Sequence, residues 1–180
     1  MEVNAVGDLV LTDPAAMRAL GDPARLKLHD GLRRRGPSTV DELAESLGAD
    51  PTDVEAQLSA LEAAGLVERT GTHWSAVGKG IVFEIPEEPT GQEAARQLRN
   101  TMLLQYVDLP RRWTAETEPR LTLEWSRAAG LFNARLELTA DELREVQNRL
   151  EDLLEPFLTR DAPPDGADAV RILAYFMPQG

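Results

Sequence analysis

Between Thr12 and Gly65 the chain carries four helix starts and four helix stops, and this punctuation constrains the fold more tightly than any other feature. Thr12 and Asp13 precede Pro14, a residue suited to a first helical turn, and the helix from about Pro14 to Leu20 stops at Gly21. Asp22 caps a second helix from Pro23, which carries Leu26, Leu28 and Leu32 toward a core and ends in "RRRGP", where Gly36 and Pro37 forbid continuation. Thr39 and Glu42 have capping-box spacing for a third helix; its Val40, Leu43, Ala44 and Leu47 make one apolar face, and Gly48 closes it. Asp50 and Pro51 open a fourth, "PTDVEAQLSALEAAG", with Val54, Leu58 and Leu61 on one face and Gly65 as a left-handed cap.

After Gly65 the period changes to two. "LVERTGTHWSAVG" reads as two short strands around Thr70-Gly71-Thr72, and "GIVFEIP" as an apolar extension ending at Pro86. Helix, helix, short turn, helix, hairpin is the order of a winged helix. Beyond "PEEPTG", Thr90 and Glu93 have capping-box spacing for a helix to about Val107, with Ala94, Ala95, Leu98, Met102, Leu103 and Tyr106 as its apolar positions; "DLPRRWTAETEP" is expected to break it. Phe132 to Leu138 alternates like a strand, leads through Thr139 and Glu142 into a helix to about Leu158, and is followed after "RDAPPDGAD" by the apolar "AVRILAYFM". Strand, helix, strand is the minimum parallel crossover. The expected class is mainly α with small β (α+β). A winged helix-turn-helix domain over 1–88 precedes a dimerisation and effector region over 89–180, with a small strand-helix-strand element at its end.

Composition narrows the function. The chain of 180 residues has no cysteine, which removes disulfides, thiolate zinc sites and cysteine nucleophiles together and suits a reducing cytoplasm. No basic start followed by an apolar run of signal-peptide length is present, and no stretch approaches the roughly 18 apolar residues of a membrane span, so a cytoplasmic protein without membrane contact is expected. A formal net charge of −12 disfavours indiscriminate attraction to nucleic acid, leaving local geometry to supply any DNA affinity.

The run "MRALGDPARLKLHDGLRRRGPSTVDELAESLGADPTDVEAQLSALEAAGLVER" resembles the bacterial ArsR-like winged-helix transcription regulators, over roughly Leu11 to Pro86. The matching features are the "ALGDPARLKLHDGL" second helix, the "TVDELAESLG" third helix and the "LSALEAAGLVER" exit into the wing. The resemblance implies a homodimer whose fourth helix enters the major groove of double-stranded DNA while the hairpin touches backbone or minor groove. The metal-sensing branch carries cysteine pairs or His/Asp/Glu clusters at helical spacing; this chain has only His29 and His73, far apart, so no metal and no cofactor is expected.

The fourth helix poses a problem for DNA binding. No Lys or Arg occurs between Arg35 and Arg69, whereas eight acids do, and each acid at an interface opposes phosphate. Base reading would fall to Thr52, Asp53, Gln57 and Ser59, with Gln57 able to pair with adenine and Asp53 or Glu55 to accept from cytosine N4, helped by the partial positive charge of the helix N-terminus. Phosphate anchors would be Arg25, Lys27, Arg33, Arg34, Arg35, Arg69 and Lys79. The alternative is a winged-helix module that has lost DNA and acts through protein–protein contact, the acids forming a solvated face. "RRR" suits a backbone clamp and the helix dipole equally; His73 beside Trp74 reads as hairpin packing before an approach to a sugar-phosphate edge, His29 as structural and "GKG" at 78–80 as a turn. Ser75 near His73 lacks a third member, and no catalytic site is expected. Met102, Tyr106, Trp113, Trp125, Phe132, Tyr175 and Phe176 would line either an apolar pocket for a small organic effector or the core and dimer seam.

Overall fold

The punctuated helices form where their caps place them. α1 (Pro14–Leu20) and α2 (Pro23–Arg35) each begin with a proline behind an aspartate: Asp13 accepts from the Ala15 amide at 2.9 Å, and Asp22 from those of Ala24 and Arg25 at 2.9 and 3.1 Å. α3 (Val40–Leu47) carries the reciprocal Thr39–Glu42 box and ends at Gly48, whose φ of 62° is the left-handed conformation that favours glycine. α4 (Pro51–Ala63) is capped by Asp50. The computed structural model describes residues 2–4 and 6–179, and its class is α+β, mostly helical with small sheets.

The apolar faces of these helices meet in one core. Leu20, Leu26, Leu43, Leu58, Leu61 and Leu66 lose all contact with solvent. The hairpin of β3 (Val67–Thr70) and β4 (His73–Ala76) is antiparallel, with Thr70 opposite His73 across the Gly71 turn. Trp74 locks the hairpin to the domain. Its ring is buried, its amide donates to the Ser38 carbonyl at 2.8 Å, and the Ser38 amide donates back at 3.0 Å.

The N-terminal segment contributes strands that the sequence reading did not separate from its flanks. β1 (Glu2–Val3) pairs antiparallel with β2 (Leu9–Leu11), and β2 runs parallel to β5 (Ile81–Phe83), which turns the expected apolar extension after the wing into the partner of a strand some 70 positions earlier. Leu9 and Leu11, on one face of β2, are fully buried.

α5 (Pro89–Tyr106) packs against α1 through Ala94, Ala95 and Leu98, where small side chains let the helices approach, and Thr101 Oγ1 donates to the Gly21 carbonyl at 2.7 Å. The expected Thr90–Glu93 capping box does not form: the helix starts two residues earlier because Pro89 takes the first helical position, and its N-cap Glu88 makes no side-chain cap. The "DLPRRWTAETEP" run also corrects expectation. It continues as α6 (Leu109–Arg112), a π-helical turn (Trp113–Thr117) and a 3-10 turn (Glu118–Arg120) before α7 (Leu123–Ala128), since Pro110 and Pro119 sit in first turns where a missing amide costs nothing.

The chain divides into two compact units, Met1–Ala128 and Ala129–Gly180. In the second, α8 (Ala140–Leu158) forms with the Thr139–Glu142 box in place. The strands expected on either side of it, from Phe132 to Leu138 and in "AVRILAYFM", do not form ladders. Alternation prepares a strand's faces, but a strand exists only when another backbone pairs with it.

Candidate nucleic-acid interface

α4 turns Val54, Leu58 and Leu61 into the core, which leaves Thr52, Asp53, Ala56 and Ser59 exposed and Glu55 and Gln57 half-buried. Both half-buried side chains are held by arginines from other elements. Arg25 of α2 donates through Nη1 to Gln57 Oε1 at 3.2 Å, and Arg69 of β3 through Nη1 to Glu55 Oε1 at 3.3 Å. Arginine is donor-only, so the Gln57 carbonyl faces Arg25 and its Nε2 is left to donate outward. Arg25 is braced in turn by Asp22 at 3.8 Å and by the Ala19 carbonyl. Arg69 lies 5.3 Å from the centroid of the Trp74 ring and donates through Nε to the Gly71 carbonyl at 3.1 Å. The Arg69–Glu55 pair is exposed and adds well under about 1 kcal/mol to stability. Its consequence is positional, because it sets a guanidinium beside the acidic helix.

The helix start behaves otherwise than expected. Asp50 accepts from the Thr52 amide at 2.8 Å, and that hydrogen bond holds its carboxyl below the usual range. The partial positive charge at the start of α4 is thus already met by a carboxylate of the chain.

The other proposed anchors are held in different ways. Lys79 is exposed; its amide donates to the Gly7 carbonyl at 2.7 Å, and its carbonyl accepts from Arg33 Nε at 2.8 Å. Arg34 folds back on α2, donating to the Asp30 carbonyl at 3.2 Å, while Lys27 and Arg35 face solvent.

Sequence reasoning passed over Asp30, which the structure places at the junction of α2 and α5. It is buried, accepts from Tyr106 Oη at 2.6 Å and Gln105 Nε2 at 2.8 Å, and stands 3.6 Å from Arg33. A signal was present: an aspartate four residues after Leu26, on the inward stripe of an amphipathic helix, needs partners. His29 beside it is fully buried, and neither ring nitrogen meets a hydrogen-bond partner. Burial, then the Arg33 charge, lower its pKa to about 4; Asp30 and the nearby Leu66 backbone pull the other way.

Of the residues assigned to an effector pocket or seam, Met102 packs inward on the core, Tyr106 bonds Asp30, and Trp113 and Trp125 are half-buried, all in the first unit. Phe132, Tyr175 and Phe176 belong to the second unit and are exposed. A surface cavity of about 150 Å³ in the first unit is lined by Ile85, Gln92, Ala95, Arg96 and Arg99, none of them in that set.

Residues 20–70 match the family model of the helix-turn-helix domain. The match runs from the end of α1 through α4 to the last residue of β3, and this region is a helix-turn-helix domain of the kind with which regulators bind DNA. No curated protein matches the chain. No helix among the described residues is long and apolar enough to cross a membrane.

Proposed function

We propose that the protein is a homodimeric DNA-binding transcription regulator of ArsR-like winged-helix type, cytoplasmic, independent of metal and responsive to a small organic effector. Residues 1–88 read DNA, and residues 89–180 dimerise and carry the effector response. The observation that supports DNA binding is the pair of arginines, Arg25 and Arg69, gripping Gln57 and Glu55 on the face of α4 that the core leaves open. Cations absent from the helix itself are brought to it from α2 and β3. Thr52, Gln57 and Ser59 then read bases, Gln57 through its free Nε2, while Arg69 and Lys79 neutralise phosphates.

Fluorescence anisotropy against the protein's own upstream DNA, at low and moderate salt, tests this reading. Arg69→Ala is expected to weaken every sequence alike and to flatten the salt slope. Gln57→Ala is expected to relax base choice at one position by about 1–3 kcal/mol, and Arg25→Ala to reproduce part of that loss by freeing the Gln57 amide. Absence of binding to operator or genomic fragments at low salt would overturn the regulator reading and leave the protein-interaction module. For the dimer, Leu103, Leu104 and Val107 at the end of α5 are the exposed apolar positions. Leu104→Glu should shift light scattering from twice the chain mass toward the single chain.

A further inference from the structure

The structure assigns a binding site for a small organic carboxylate with an apolar body to the cavity where the chain passes from β5 into α5, with Arg99 as the residue that holds the acid. This rests on the effector part of the reading above and not on DNA binding; it names where that effector sits and what chemistry it carries.

The cavity exists because two stretches of chain are held against each other. Gly91 has no side chain, and Pro86 packs so close to it that a Cβ on Gly91 would lie 2.5 Å from the Pro86 Cβ. Gln92 Nε2 adds a hydrogen bond to the Glu87 carbonyl at 2.9 Å. The segment leaving β5 is thereby strapped onto the first turns of α5. Beside this strap, Gln92, Ala95, Arg96 and Arg99 recur at helical spacing on one face of α5, and with Ile85 they line the space of about 150 Å³. A space of that size takes a single ring or a short branched chain.

The lining divides into two chemistries. Ala95 is buried, and its methyl leaves room that a longer side chain would fill; Ile85 is a large apolar side chain left 56% exposed, area that the apolar body of a ligand would take out of water. Two guanidiniums supply the other chemistry. Arg96 is already paired with Glu93. Arg99 pairs with no carboxylate among the described residues, although the chain carries 31 Asp and Glu against 19 Lys and Arg. Its guanidinium lies over the Phe83 ring of β5, 5.8 Å from the centroid. Contact with a ring engages the face of a guanidinium and leaves the donors at its edge, the fork that matches a carboxylate. A braced cation without an acid, next to an uncovered apolar side chain, fits a ligand with both features. A neutral hydrocarbon would leave Arg99 unanswered, and an inorganic anion would leave Ile85 bare. The Gln92 amide keeps one N–H and its carbonyl for a further polar group.

Benzoate is the probe, titrated into the full-length protein by isothermal titration calorimetry, with benzyl alcohol and sulfate each presenting one half of its chemistry. Benzoate should saturate at one per chain in the millimolar range, and each half-ligand should bind about tenfold more weakly or worse, the loss expected when a charge-assisted hydrogen bond or the apolar contact is missing. Arg99→Gln changes an exposed side chain and should leave the circular dichroism spectrum unmoved while costing benzoate about tenfold in affinity. Ile85→Ser should cost several-fold, and Arg111→Gln, at an exposed arginine outside the cavity, nothing. Sulfate or benzyl alcohol binding as well as benzoate, an affinity untouched by Arg99→Gln, or no saturable binding overturns the proposal. Operator affinity with and without benzoate is read separately: a filled site with unmoved operator affinity sinks the effector part of the regulator reading and leaves the carboxylate site standing.

Discussion

α3 and α8 begin with the same chemistry and reach different ends. In each, a threonine amide donates to the glutamate three residues on, at 2.8 Å from Thr39 to Glu42 and 2.7 Å from Thr139 to Glu142, and the glutamate amide donates back to the threonine hydroxyl at 3.3 and 3.2 Å. In each, the backbone hydrogen bond from the threonine holds the glutamate carboxyl below its ordinary range. Yet α3 buries Leu43 and Ala44 in a shared core, whereas α8, more than twice as long and equally one-sided, buries nothing. A cap settles where a helix starts; only packing settles what the helix contributes.

The contrast is open to breaking at several strengths. The largest effect is expected in the core that α3 shares. Leu58→Ala should cost about 2–5 kcal/mol in urea unfolding of the first unit, while Leu150→Ala on α8 should leave that transition unmoved. Equal losses from the two would erase the distinction.

Acid should act next, through His29 of the same core. Its folded-state pKa of about 4 lies below the ordinary 6.5, so as pH falls the unfolded chain takes up this proton first. The contribution is intact above pH 6.5 and is lost progressively between 6.5 and about 4, at up to about 1.4 kcal/mol per pH unit. Chemical denaturation of wild type and His29→Leu across that window should show the slope in wild type and a flatter line in the variant. Identical slopes would mean that burial does not hold the ring neutral.

A smaller loss, about 1–2 kcal/mol, is expected from Tyr106→Phe, which takes one donor from the buried Asp30 carboxylate. Thr39→Ala and Thr139→Ala give the finest comparison. Each removes the same cap and should cost its own helix about 1 kcal/mol, but only Thr39→Ala should move the unfolding of the first unit. Amide exchange at the start of α8 is the place to look for the effect of Thr139→Ala.

Short-range chemistry was legible from sequence. Asp13, Asp22, Thr39, Asp50 and Thr139 cap as their spacing indicates, because a cap and its amide lie within three residues and need no tertiary partner. Thr90 shows the limit of that logic, since Pro89 competed locally for the first helical position and prevailed. The apolar stripes of α2 and α4 and the turn at Gly71 belong to the same legible class.

What the fold alone decided are the pairings between distant residues that build the candidate site. Gln57 finds Arg25 across 32 positions, the Lys79 carbonyl finds Arg33 across 46 and Asp30 finds Tyr106 across 76. No periodicity encodes these, because each depends on where two packed elements bring their surfaces together. The acidic character of α4 was plain from composition; that arginines of α2 and β3 reach across to it was not. For 132–138 and 170–176 the sequence prepared apolar strand-like runs, but a ladder is a relation between two backbones, and it exists only where a second strand lies alongside.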